Sequence, residues 1–209
     1  MRGWLKTAMN LLALTLITPA AAICWLQEFL VAPSTAAFTF WTHIVAQLPG
    51  LPGMFLRRAF YRLMLESCAE NVIIEFGVIL NRRAVLESGA YIGPHALIGW
   101  VRIGQNSLIG SRASIPSGGN QHSFLPSGTW STTDPSALRL VTIGANTWVG
   151  EGAVVMADVG SQCMVAAGAV VASAVPDGIM VAGNPARFVR RVVPQAELVS
   201  DDARLSPVR

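Results

Sequence analysis

A chain of 209 residues with 15 Lys and Arg against 12 Asp and Glu carries a formal net charge of +3. Only 13% of its residues are charged, about half the share of an average soluble domain, and the mean hydropathy is +0.49. These values exclude a disordered polyelectrolyte, a coiled coil and a strongly basic nucleic-acid binder; they fit one domain with a membrane-seeking segment.

Residues 1–50 hold the apolar excess. No charged residue occurs from Thr7 to Gln27, nor from Phe29 to Leu56, and Glu28 alone separates the two stretches. The first is long enough to cross a hydrocarbon core, since a helical span takes roughly 20 residues. The second contains Pro33, Pro49 and Pro52 and suits a re-entrant or interfacial segment as well as a span. Arg2 and Lys6 precede the pair and Arg57, Arg58 and Arg62 follow it. The positive-inside rule then predicts a membrane-anchoring hairpin with both basic clusters in the cytoplasm and Glu28 near the far side. A cleavable signal peptide ending at Ala20-Ala21-Ala22 is the rival reading; apolar character well past that point favours a retained anchor. Cys24, Cys68 and Cys163 are odd in number and far apart, which supports neither a disulfide framework nor a cysteine zinc site.

Residues 51–70 form a linker in which Gly53 to Glu66 reads as a basic amphipathic helix. Met54, Phe55, Ala59, Phe60, Leu63 and Met64 gather opposite Arg57, Arg58, Arg62 and Glu66, and Pro52 stands at the start. Such a helix can lie at a membrane surface with its arginines among lipid phosphates, or cap the domain that follows.

A period of six governs residues 71–191. Aliphatic residues recur at Ile74, Leu80, Leu86, Ile92 and Ile98, then at Ile103, Ile109 and Ile115, and later at Ile143, Val149, Val155, Val159, Val165 and Val171. Small or β-branched residues such as Ala84, Ala90, Ser107 and Ala113 stand two places before a beat, and glycine follows it at Gly93, Gly99, Gly104 and Gly110. Neither helix periodicity nor simple alternation yields this rhythm. It predicts a parallel β-helix, a mainly β fold in which three short strands and three corners make each coil. Each coil buries its aliphatics against its neighbours only, so several are required. The rhythm breaks once, over residues 116–140, and an excursion of that length from a regular solenoid marks function or disorder. Residues 192–209 read as a polar tail.

Three strings, YIGPHALIGWVRIGQNSLIGS, VTIGANTWVGEGAVVMADVG and MVAAGAVVASAVPDGIMVAGNPARFVRR, carry a resemblance to the hexapeptide-repeat acyltransferases from about Leu51 to Arg191. The resemblance implies a left-handed parallel β-helix, acetyl-CoA (or another acyl-CoA) as co-substrate, no metal, and a homotrimer with active sites between subunits. It points to His122, in the excursion, as the general base on an acceptor hydroxyl; the bland alternative is a solvated loop histidine. Asp134 and Glu151 are the acidic candidates to orient the ring, though a backbone carbonyl would also serve. Asn120 and Ser123 are candidates to position the acceptor. For the CoA, the resemblance points to Trp148 beside the pantetheine arm, to small residues at Ala167 and Gly168, and to Arg187, Arg190 and Arg191 for the phosphates.

With a membrane anchor, the expected activity is O-acetyl transfer to a sugar hydroxyl in exopolysaccharide or surface-glycan synthesis. The catalytic domain would face the cytoplasm at the inner membrane, with a glycan or lipid-linked saccharide acceptor and polysaccharide-assembly proteins as partners and no nucleic acid. Three alternatives compete: N-acetyl transfer to an amino sugar, a non-catalytic scaffold, and a zinc lyase. The last needs three ligand histidines where the β-helix region offers only His95 and His122.

Overall fold

The computed structural model describes residues 3–32, 35–119, 121–132 and 135–192. Arg2, Pro33, Asn120, Asp134 and the tail beyond Val192 lie outside them. Three helices open the chain: α1 (Gly3–Leu30), α2 (Ala36–Ala46) and α3 (Gly50–Met64). A parallel β-solenoid of about six turns follows.

The period of six is realised as three parallel sheets. Face 1 stacks Ser67–Cys68, Val85–Leu86, Val101–Ile103 and Val141–Ile143. Face 2 begins with Ile73–Ile74, Tyr91–Ile92, Leu108–Ile109 and Trp148–Val149, and ends with Met164–Val165, Ile179–Ala182 and Arg187–Arg191. Face 3 stacks Ile79–Leu80, Leu97–Ile98, Ser114–Ile115, Val154–Val155 and Val170–Val171. Every aliphatic beat from Ile74 to Val171 is buried, and so are the small residues two places before the beats, including Ala84, Ala90, Ser107 and Ala113. The rhythm thus encodes one large and one small inward side chain per strand and corner. The solenoid starts one strand earlier than the beat, because Ser67–Cys68 pairs with Val85–Leu86 without an aliphatic inward residue of its own.

The corner glycines owe their place to stacking. A Cβ on Gly144 would lie 2.4 Å from the Ser161 nitrogen, and one on Gly150 would lie 2.5 Å from that of Ala167. The left-handed backbone conformation falls elsewhere in the corners, at Gly152 and Gly168 but also at His95, Asn106, Arg112, Asn146 and Gln162.

The two ends of the solenoid are closed differently. At the C-terminal end, Arg187–Arg191 turns back antiparallel on Ile179–Ala182, immediately after Gly183 to Ala186. At the N-terminal end α3 packs on the first strands of faces 1 and 2 and α2 on that of face 3, while α1 packs across α3 and α2. The inner stripe of α1 is Asn10, Ala13, Ile17, Ala21 and Cys24, at helical spacing.

Of the two readings of α3 the structure favours the cap, and the expected place of Glu28 changes. Arg57 and Arg58 do not reach toward lipid phosphates: they are 1% and 3% exposed, inside the cap. Arg57 donates from Nε to the Ile74 carbonyl at 3.0 Å and from Nη1 to the Leu48 carbonyl. Arg58 donates to the Val72 carbonyl at 3.1 Å and to Asn10 Oδ1 at 2.5 Å. Burial in this dry layer lowers the pKa of both guanidinium groups, and the carbonyl partners compensate for the lost water. The helix α3 therefore caps the domain, and its arginines are internal ties. Glu28, expected on the far side of a bilayer, instead pairs with Arg82 of the first coil at 3.4 Å.

Candidate active site

The break in the rhythm is a structured clamp. The chain leaves face 3 after Ile115 and rejoins face 1 at Val141, whose strand pairs with Val101–Ile103 as though nothing intervened. Arg139 donates its N–H to the Ser117 carbonyl at 3.0 Å and closes the base. Within the excursion, residues 122–131 form a small hairpin. Ser131 N–H donates to the Ser123 carbonyl and Leu125 N–H to the Thr129 carbonyl, both at 2.8 Å. Phe124 and Trp130 pair across it, their rings edge-on with centroids 5.3 Å apart. Gly128 supplies the positive φ of +78° that the turn requires.

His122 stands at the foot of this hairpin, exposed, with Nδ1 3.1 Å from the Ser131 carbonyl oxygen. A carbonyl oxygen only accepts, so the hydrogen bond puts the proton on Nδ1 and leaves the Nε2 lone pair free. The ring borders an open cavity of about 670 Å³ whose walls include Pro116, Gln121, Trp130, Ser131 and Met156. A second cavity, of about 280 Å³, shares Pro116 and Gln121 with the first and runs along face 3 to Phe38 and Thr42 of α2. Pro116 and Gln121 thus stand between the two cavities.

Other expected residues fall on separate surfaces. Ser123 is exposed, and its backbone N–H donates to Ser131 Oγ at 2.8 Å. Glu151 is exposed in the corner between faces 2 and 3 and makes no hydrogen bond to His122; the carbonyl of Ser131 holds the ring. Ala167 and Gly168 occupy the same corner one coil on, where Gly168 N–H donates to the Glu151 carbonyl at 2.8 Å. Trp148 is 49% exposed on face 2. Its register partner is Met164, then Met180, then Arg190, so these four residues form one row. Arg187 and Arg191 flank that row, both exposed. Neither Trp148 nor any of the three arginines lines the cavity at His122. Nor does any group of three His, Cys, Asp or Glu among the described residues have the geometry to hold a metal ion.

Sequence reasoning passed over Trp130, Ser131 and Met156 at the His122 cavity. Trp130 was readable, being an aromatic inside a polar excursion; the Ser131 carbonyl was not, since every residue has one.

The model for the hexapeptide repeat of succinyl-transferase matches residues 100–119 and 140–173, on either side of the excursion. Over these two segments the chain is similar to the hexapeptide repeat, and its fold is the parallel β-helix. A search of curated proteins returns no match by sequence. Among solved structures, AntD is an N-acyltransferase from Bacillus cereus, solved with dTDP-4-amino-4,6-dideoxyglucose and coenzyme A. It is 16% identical, with 64% of this chain and 76% of AntD covered and a TM-score of 0.52. A maltose O-acetyltransferase from Clostridium difficile 630 is also 16% identical, with 75% and 86% covered and a TM-score of 0.51. PerB from Caulobacter crescentus, solved with CoA and GDP-perosamine, is 23% identical with a TM-score of 0.45. There 57% of this chain is covered, and the chain spans about half of PerB, 48%.

Proposed function

We propose that the protein is a membrane-associated acyltransferase that moves an acetyl group from acetyl-CoA to a sugar hydroxyl in exopolysaccharide or other surface-glycan assembly. The observation that carries the reading is His122, whose Nδ1 is held by a backbone carbonyl while Nε2 is free beside an open cavity. Two proteins of the same fold lend support, one an acetyltransferase of maltose and one an acyltransferase solved with an amino-sugar nucleotide and coenzyme A.

In the proposed reaction Nε2 of His122 takes the proton of the acceptor hydroxyl as its oxygen attacks the thioester carbonyl carbon. The tetrahedral intermediate collapses, the C–S bond breaks, and the imidazolium returns the proton to the CoA sulfur. No covalent enzyme intermediate is required, because the thioester is already activated. General-base assistance of this kind contributes typically ~10²–10⁴-fold, and alignment of the two substrates supplies the remainder.

The CoA is proposed to lie along the face 2 row, its pantetheine arm beside Trp148 and the small corner Ala167-Gly168, its phosphates near Arg187, Arg190 and Arg191. His122 opens on face 3. A neighbouring copy that brings its face 2 against this face 3 would complete the site, which is the reason for proposing a homotrimer. The apolar α1 supports membrane attachment, and the cytoplasmic supply of acetyl-CoA supports a cytoplasmic orientation at the inner membrane.

AntD's N-acyl chemistry favours a second reading, acetylation of an amino sugar. One experiment tests both: incubation with acetyl-CoA and a panel of lipid-linked saccharides, read by mass spectrometry before and after mild base. An ester is expected, cleaved by the base. A base-stable amide would establish the second reading, and absence of any CoA-dependent product would remove both.

A further inference from the structure

We infer that α1 lies flat in one leaflet of a lipid bilayer, across the end of the solenoid, as an in-plane membrane anchor instead of a spanning helix. The inference rests on the membrane part of the reading above and not on acyl transfer.

The orientation follows from two ties. Near its start, α1 is held by Asn10 to Arg58, which also grips the Val72 carbonyl in the first coil. At its end, Glu28 pairs with Arg82, again in the first coil, and Gln27 accepts from Trp41 of α2 at 2.8 Å. The eighteen helical steps from Asn10 to Glu28 span about 27 Å at 1.5 Å each, whereas one coil rises only about 4.8 Å along the solenoid. With both ends of a rod of about 27 Å tied to the same coil, the rod runs across the solenoid axis and not along it. A helix so held cannot cross a bilayer without drawing the polar flank of the first coil, with Arg62, Glu70 and Arg82, into hydrocarbon.

The outer face of α1 has the character of a lipid contact. Leu12, Leu16, Pro19, Ile23, Leu26 and Leu30 follow at steps of four and three, opposite the buried stripe, and all are exposed; Leu16 is 61% open. No charge interrupts them, unlike the polar rim of a protein interface. The exposed threonines are satisfied internally. Thr15 donates to the Leu11 carbonyl at 3.0 Å and Thr18 to the Leu14 carbonyl at 2.7 Å, as hydroxyls in hydrocarbon must. Trp4 and Trp25 stand near the two ends, the placement of interfacial anchors.

The axis of the solenoid then points away from the leaflet. The face 3 trough begins at α2, and the excursion that carries His122 leaves the third strand of the face, two strand spacings or roughly 10 Å from the first. A membrane-held amphiphile with a polar head of that reach would bring its hydroxyl to the ring.

Topology labelling of the full-length protein tests this. Lys6→Cys and Phe29→Cys are made separately in a Cys24→Ala, Cys68→Ala, Cys163→Ala background, and inverted membrane vesicles of expressing bacteria are treated with a membrane-impermeant maleimide. Both sites are expected to react to the same extent from one side without detergent. Reaction of one site only after detergent would overturn the in-plane orientation. In parallel, wild-type protein and Leu16→Glu/Ile23→Glu are floated with phosphatidylethanolamine–phosphatidylglycerol vesicles. At least a tenfold loss of bound fraction is expected in the double variant, with an unchanged far-ultraviolet circular dichroism spectrum. Equal flotation would overturn the assignment of this face to lipid, as would a soluble wild-type dimer that shields both positions. Binding of CoA in the same preparations, read by calorimetry, separates failure here from failure of the acyltransferase reading.

Discussion

The Nδ1 of His122 lies 3.1 Å from the carbonyl oxygen of Ser131, nine residues along the chain and directly across the foot of the extruded hairpin. The bond fixes a tautomer through the backbone, so the orientation of the ring depends on the hairpin and on no particular side chain at position 131. Ser131→Ala should therefore leave kcat within about threefold of wild type, the loss of its Oγ bond to Ser123 being worth only about 1 kcal/mol. Ser131→Pro removes the N–H that bonds Ser123 and should lower kcat by ten- to a hundredfold, a cost of about 1.4–2.7 kcal/mol. Steady-state kinetics on the pair checks this, with KM for acetyl-CoA expected to stay unchanged.

The edge-on pair of Phe124 and Trp130 sits outside the solenoid core, with both rings well exposed. An aromatic pair of this kind contributes about 0.5–1.5 kcal/mol, all of it to the hairpin. Trp130→Ala should reduce activity roughly tenfold at most, while the melting temperature moves by no more than a degree or two. A large drop in melting temperature would mean that the hairpin is part of the fold's core.

Two corner glycines in the same turn separate stacking from backbone strain. Gly150→Ala puts a Cβ against the backbone of Ala167, whereas Gly152→Ala meets open space and suffers only its φ of +64°. The second substitution should cost about 1–2 kcal/mol and the first distinctly more, because a backbone cannot yield as a side-chain end can. Denaturation midpoints of the two variants decide the order.

Burial pushes the Cys68 thiol up to about 12 from its ordinary 9.0, with Arg62 and Arg58 opposing the shift. A pKa raised on folding makes a contribution that is complete below pH 9.0 and is lost as pH rises from there through 12. Stability should therefore fall between pH 9 and 11 in the wild-type protein and fall less steeply in Cys68→Ala. Urea midpoints across that range in detergent would show the difference, and Cys68 should react slowly with iodoacetamide at pH 8.

Much of this architecture is legible in the chain because each coil repeats the same local demand: an aliphatic residue such as Ile109 inward, a small one such as Ala113 at the corner, a glycine such as Gly110 under the next coil. That information is local and periodic. The burial of Arg57 and Arg58 is not legible, since their partners are carbonyls of Leu48, Val72 and Ile74 and the amide of Asn10, all set by tertiary placement. Sequence alone gave the arginines a solvated face because charge usually has one. The same limit applies at the site. His122 stands out as a histidine inside the one break in the rhythm, and a backbone carbonyl was one of the partners open to it; which carbonyl, that of Ser131, is set by the hairpin and not by any residue type. Hydropathy likewise marks α1 as apolar and long, and is silent on its packing; the pairing of Glu28 with Arg82 in the first coil is set by tertiary placement.

The proposed CoA row predicts a further division of labour. Trp148→Ala and Arg190→Ala should each weaken CoA binding about tenfold, the scale of one charge-assisted contact or one buried aromatic face. The Arg190 effect should shrink at high salt and the Trp148 effect should not. Isothermal titration at 50 mM and 500 mM salt reads both.

Acetyl transfer by His122→Ala, set beside its affinity for CoA, tests the central claim most directly. The account predicts a kcat lower by about 10²–10⁴-fold with CoA bound as tightly as by wild type. Turnover at the wild-type rate with that imidazole gone would contradict it.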